Sequence, residues 1–388
     1  MKRSMILLIA VLIAFGTLIQ PVAADDFKPF PASLKGKKIA IFLNSHYQTD
    51  EAYYTPLRLK EAGADVKIVS HESPIVSRDT HTVKTDITPK EARKTKWDGF
   101  VVIGGFSPLE MREDKDVISI VQDVNNRNGM ASAICHGVCV LVTADIIRGK
   151  TLTGNVPRQV EFTNAGANYI EKAPQIDGNL ITAIGPADNG PYLDAMINWF
   201  DGGEASAKAH LNDQYLKGKK IAIIIDGRYD YDQIKYPYSR LRHNGADVYL
   251  VAKADGTYNE YRGMGSMKAD MNAQDASSER FDAVYLPGHW AADTYRRSAD
   301  IHRFVEKKLK EGALIASMNW GHAALISADL CKGREIATTW GMQNDIKNAG
   351  GTPILKSVHR DGNLITCATD DDLPELMRYM VGYLTTMK

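Results

Sequence analysis

The chain has 388 residues, with 47 basic and 47 acidic side chains, 44% hydrophobic residues and 4 cysteines. This describes a globular protein of more than one domain and excludes a disordered or collagen-like chain. A formal charge of zero leaves no electrostatic footprint for nucleic acid or an anionic membrane, and so few cysteines make no disulfide scaffold.

At the start, Lys2 and Arg3 precede an apolar run from Met5 to Ile19, then Pro21 and the small residues Val22, Ala23 and Ala24. That is the layout of a secretory signal peptide, and the run is shorter than the roughly 20 residues a membrane-spanning helix needs. Residues 1–24 are read as a signal peptide. The mature protein is expected to be exported, periplasmic or extracellular, with no membrane association once the leader is cleaved.

The remainder is a tandem repeat. KGKKIAIFL from Lys35 returns as KGKKIAIII from Lys217, and RLKEAGADVKIV from Arg58 as RLRHNGADVYLV from Arg240. WDGFVVIGG from Trp97 matches FDAVYLPGH from Phe281, and DGNLIT recurs from Asp177 and Asp361. Each copy alternates short apolar runs, of the kind buried in a parallel sheet, with segments of helical spacing. The period is that of a whole domain rather than of a solenoid unit. Two α/β sandwich domains with mostly parallel sheets are predicted, over 25–203 and 215–388, with 204–214 as a linker.

In the first copy, ASAICHGVCVLVTADIIRG from Ala131 to Gly149 reads as an apolar strand, a sharp turn at Cys135, His136 and Gly137, and a helix. This is the logic of a nucleophile elbow, where a strained turn presents one side chain above the sheet and the helix start favours an anion. The Cys135 thiol is therefore expected to have a depressed pKa. Its alternative is a buried structural cysteine.

AICHG, VVIGG from Val101, the LKEAG block, and NAG at Asn164 followed by DGNLIT together resemble the ThiJ/PfpI (DJ-one) superfamily, across nearly all of both copies. The resemblance implies flavodoxin-like (class I glutamine amidotransferase-like) sandwiches, a reactive cysteine at Cys135 and a glutamate at Glu51. A carboxylate beside a thiolate raises both pKa values, so Glu51 is expected to be protonated or to shuttle a proton. His136 matches PfpI-like members and could serve as the base. Gly104, Gly105 and Gly137 are assigned to the oxyanion and substrate-binding backbone, with the N–H groups of Gly105 and His136 as donors. Cys139 is expected in the core, and whether Cys331 and Cys367 pair stays open.

In the second copy the matching positions are Asn319, Trp320 and Gln233, so that copy is predicted to have lost cysteine chemistry. PfpI-like relatives carry an acid in a turn after the third-strand region, thought to complete a Cys-His-acid triad across a subunit interface. The first copy has Leu109 there and Glu110 one place late, whereas the second has Asp293. This predicts an intramolecular pseudo-dimer in which Asp293 orients His136, with Glu110 as the fallback acid. A homo-oligomer is compatible with the same sequence.

Two enzyme reactions share the nucleophile: attack on small aldehydes or glycated amines, of glyoxalase or deglycase type, and hydrolysis of peptide or amide bonds. The alternative is a non-enzymatic redox-sensing or chaperone-like stress protein. No phosphate loop or dinucleotide fingerprint occurs, and the histidines do not cluster, so no cofactor and no metal are expected. IGPAD, from Ile184, lacks the histidine and glutamate a glutamine amidotransferase needs there.

Overall fold

The computed structural model describes residues 27–387. The leader reading falls outside them. Among the described residues no helix is long and apolar enough to cross a membrane.

Two open sheets carry the fold. In the first, β1 (Lys38–Phe42), β2 (Asp65–Val69), β3 (Gly99–Val102), β4 (Met130–Ile134), β5 (Gln175–Asp177) and β6 (Leu180–Ala183) lie in the order β2-β1-β3-β4-β6-β5. All neighbours are parallel except β6 and β5. The second sheet repeats it with β7 (Lys220–Ile224), β8 (Asp247–Ala252), β9 (Met271–Asn272), β10 (Ala283–Leu286), β11 (Leu314–Met318), β12 (Val358–Asp361) and β13 (Leu364–Cys367), ordered β9-β8-β7-β10-β11-β13-β12. β3, β4, β10 and β11 are buried along their whole lengths, which is why they read as unbroken apolar runs.

Among the helices that frame the elbows and the contact between the copies are α1 (Thr49–Glu61), α2 (Ser107–Met111), α3 (Val138–Thr143), α4 (Asn189–Ala209), α5 (Tyr231–His243), α6 (His289–Tyr295) and α7 (Leu373–Thr386). The stretch expected as a linker is partly helical. α4 breaks at Gly202 and Gly203, the latter at φ 68°, and the helix-favouring EASAKA run resumes it to Ala209.

The copies meet through α1, which packs on α5, α4 and α7. Tyr53 stacks edge-on against Tyr231, and Tyr54 against Tyr236, with ring centroids 5.3 and 5.4 Å apart. Beneath them Arg240, wholly buried, donates to Glu61 at 2.8 Å, while Arg58 donates to Asp194 at 3.1 Å. The Tyr236 hydroxyl also donates to Glu61. A backbone hydrogen bond from Phe30 to the Arg378 carbonyl ties the start of the described chain to α7.

Candidate active site at the first elbow

β4 delivers the chain to Cys135 in a left-handed conformation, φ 59°, and a single 3-10 turn over Cys135–Gly137 leads into α3. Such a φ is strained for a residue with a Cβ, and strain of this kind collects at functional turns. The turn sits tightly on its neighbour: a Cβ on Gly137 would lie 2.3 Å from the Val102 carbonyl oxygen. Gly104 is equally constrained, since its Cβ would meet the Cys135 Cβ at 2.6 Å and Glu51 Oε2 at 2.7 Å.

Glu51 enters from the first turn of α1, which the Gln48 side chain caps by accepting from the Asp50 and Glu51 N–H groups. Its carboxyl is fully buried. Oε2 accepts the Gly104 N–H at 2.8 Å, and Oε1 is buried with no protein partner. Burial pushes the Glu51 pKa up to about 8, with Asp50 and Asp188 adding to the rise and the Gly104 N–H opposing it. At neutral pH Glu51 is therefore a neutral acid.

The Cys135 thiol is pushed up to about 11, first by burial and then by the Glu51 charge, against the N–H groups of His136 and Gly105 and the Asn155 amide. This reverses the expected depression. The helix start does supply donors, but the sulfur is mostly buried beside a carboxyl group, and those two effects outweigh them. The N–H groups of Gly105 and His136, expected as oxyanion donors, both point at the sulfur.

His136 Nδ1 lies 3.5 Å from Cys135 Sγ. Burial, then the Arg158 charge, lowers its pKa, which leaves the imidazole neutral and able to take a proton. Phe106, on the loop into α2, sets its ring 6.0 Å from the imidazole. The charges that act on His136 come from Arg158 and Glu161, both in the first copy. Glu161 is shared, pairing with Arg112 at 2.7 Å and Arg158 at 3.3 Å.

The expected acids are elsewhere. Asp293 is exposed on α6, which packs on the elbow of its own copy, and Glu110 is exposed on α2. Among the described residues no ion pair joins either carboxylate to His136, so the chain by itself does not assemble the triad through Asp293. The cause is the axis of association: the copies meet along α1 and α5, and this contact does not carry α6 to the first elbow.

Sequence reasoning missed Asn155. Its Nδ2 lies 3.7 Å from Cys135 Sγ and its backbone N–H donates to the Cys135 carbonyl at 3.2 Å. The GNVP turn after a short apolar run was the available signal. Cys139 is buried, 3.8 Å from Glu161, and all four cysteines are free thiols. No cluster of metal-ligating groups occurs among the described residues.

The second elbow keeps the frame without the reactive atoms. Asn319 retains a left-handed φ of 48° and donates to Asp370 at 2.9 Å, while Gln233 Oε1 accepts the Gly288 N–H at 2.8 Å. His289, at φ 64°, stands in the place of Gly105.

The chain is similar to several known proteins, and the two-region match of a family model agrees with the tandem. Protein DJ-1 homolog D of Arabidopsis thaliana is 23% identical, over 81% of this chain and 84% of its own. Deglycase PfpI of Pyrococcus furiosus is 28% identical, over 39% of this chain and 92% of its own. Among solved structures, a two-domain protein of Anabaena variabilis with DJ-1/ThiJ/PfpI-like and ferritin-like domains is 30% identical at a TM-score of 0.42, covering 44% of this chain and 49% of its own. The family model described as DJ-1/PfpI matches residues 37–198 and again 219–382.

Proposed function

The chain belongs to the DJ-1/PfpI family, and from that membership we propose that its first copy is a cysteine-nucleophile enzyme acting on small reactive aldehydes or the amines they glycate. The observation that carries this reading is the neutral, buried Glu51 carboxyl beside Cys135, with one oxygen fixed by Gly104 and the other without a protein partner. A buried acid with a pKa near 8 can both give and take a proton at neutral pH. The deglycase names of two Pyrococcus relatives support the same substrate class.

In the proposed reaction His136 takes the Cys135 proton, and the sulfur forms a bond to the aldehyde carbon while the carbonyl electron pair moves onto oxygen. The Gly105 and His136 N–H groups, which point at the sulfur in the free chain, would pass to that oxygen, and Glu51 supplies its proton. With methylglyoxal, the ionised Glu51 then carries the proton of the former aldehyde carbon to the adjacent carbonyl carbon, while the hydroxyl proton passes to that carbon's oxygen, which gives a thioester. Water then releases a 2-hydroxy acid and restores the thiol. A peptidase reading needs a carboxylate dedicated to His136, and Glu161 is instead held by two arginines.

With the leader read at residues 1–24, the enzyme would act in the periplasm or outside the cell. The test is methylglyoxal consumption by the purified chain beside cleavage of a fluorogenic peptide. Turnover of methylglyoxal that disappears in Cys135→Ser supports the proposal. Undiminished turnover in that variant overturns it.

A further inference from the structure

Between the copies, on the side of α1 nearer the first elbow, lies a cavity of about 490 Å³. Asp50, Asn189 and Gly190 come to it from the first copy, and Lys235, Arg242 and His243 from α5 of the second. Lys235 and Arg242 are not engaged by carboxylates. The Lys235 ammonium stands over the Tyr231 ring at 5.6 Å, and Arg242 donates to the Tyr238 hydroxyl at 3.1 Å. Among the described residues neither side chain makes an ion pair.

The acceptors in the wall are ordered. Asn189, more than nine-tenths buried, spends its amide N–H on the Asp50 carbonyl at 2.9 Å, and its Oδ1 has no partner. An unpaired buried acceptor of this kind is costly, and a hydroxyl brought by a ligand would satisfy it. Asp50 is held by the Tyr231 hydroxyl at 2.7 Å. The His243 ring, fixed to Asp194 at 2.8 Å, closes the floor where a Cβ on Gly190 would lie only 2.1 Å from Nδ1.

The pseudo-symmetric position argues that this charge is specific. On the opposite side of the interface, Asp370, Asp371 and Glu375 stand where this cavity has Pro186, Ala187 and Pro191, and Asp232 stands where it has Asp50. Lys60 there matches Arg242, while Tyr53, which matches Lys235, lines this cavity. One side of the interface has thus become acidic while the other has kept two unpaired cations, a difference that packing two similar domains does not require.

We propose that this cavity binds a small hydroxylated oxyanion, a sugar phosphate or sugar acid, with Lys235 and Arg242 taking the charged oxygens and Asn189 and Asp50 accepting from hydroxyls. The site is separate from Cys135, and the proposal does not depend on the reaction assigned to that residue.

Titration calorimetry on the purified chain with glucose 6-phosphate, gluconate and glucose tests it. Saturable binding of one molecule per chain is expected for at least one of the two anions, with glucose at least tenfold weaker. Lys235→Ala and Arg242→Ala, both changes at partly or fully exposed side chains, are each expected to weaken the anion by about tenfold. Lys60→Ala, at the matching place on α1, and Cys135→Ser are expected to leave it unchanged. The proposal is overturned if neither anion saturates the chain, if glucose binds as tightly, or if Cys135→Ser or Lys60→Ala weakens binding as much as Lys235→Ala.

Discussion

Glu51 and Gln233 hold the same post in the two copies, each accepting at 2.8 Å the N–H of a glycine beyond the end of a core strand, Gly104 after β3 and Gly288 after β10. Their remaining terminal atoms, Glu51 Oε1 and Gln233 Nε2, are both buried without a protein partner. The second copy has kept the hydrogen bond that builds the site and lost the group that titrates. Gln233 is in effect a substitution already tolerated by this fold.

Glu51→Gln is therefore expected to fold normally and to lower methylglyoxal turnover by roughly 100-fold or more, the usual contribution of a proton-transferring group. Steady-state kinetics beside a circular dichroism melt check both halves. Turnover within about threefold of wild type would remove Glu51 from the chemistry.

The same substitution carries a pH signature in stability. Between pH 4.5 and about 8 the unfolded chain has released the Glu51 proton while the native chain retains it. Fewer protons are bound in the unfolded state, so stability falls as pH rises through that window, by an amount on the order of 4 kcal/mol. Urea unfolding at about pH 5 and about pH 8 should show Glu51→Gln gaining on the wild type at the higher pH. Parallel losses in both proteins would place the proton elsewhere.

Thiol titration gives an independent reading. Because the Glu51 charge is the second cause holding the Cys135 pKa up, its removal in Glu51→Gln is expected to shift Cys135 alkylation by iodoacetamide toward lower pH. Cys139, Cys331 and Cys367 are fully buried, so the native chain reports on Cys135. A rate profile that moves to higher pH contradicts the assignment.

Gly104→Ala tests the close approach that defines the site. The new methyl would sit 2.6 Å from the Cys135 Cβ and 2.7 Å from Glu51 Oε2, so one of them must move. A stability loss of about 1–3 kcal/mol is expected, with activity falling far more than the fraction folded. Activity that tracks the folded fraction alone would argue against the geometry.

At the interface between copies, Arg240→Met leaves Glu61 buried without its main cation. Stability measured in urea should drop by about 3–5 kcal/mol, and adding Glu61→Leu should recover part of that loss. An additive double variant would mean the pair does not act together.

Much of the architecture was legible in the chain. The two copies follow from repeated strand and turn segments, and the elbow follows from an apolar strand running into Cys135-His136-Gly137. Glu51 followed from the family resemblance, since a glutamate at a helix start looks no different from a solvated cap. Less legible were properties set by distance in space. Asn155 and Glu161 reach the elbow from a turn and a helix some twenty residues further on; the GNVP turn marks a loop at Asn155, but no local pattern shows that the loop or the helix returns to Cys135. The direction of the Cys135 shift depends on how deeply the sulfur is buried, which helix-start reasoning does not weigh. Asp293 carried the right residue type in the right turn, but the α1–α5 contact decides which surfaces meet, and it leaves α6 outside.

In the proposed chemistry one thiol per chain, Cys135, carries the whole reaction. The decisive experiment is graded alkylation with iodoacetamide, with peptide mass spectrometry to count the label at Cys135 and methylglyoxal turnover measured on the same samples. Activity should fall in proportion to label at Cys135 and reach zero at one label per chain. A chain fully labelled at Cys135 that still turns over at the unlabelled rate would contradict the assignment of the nucleophile.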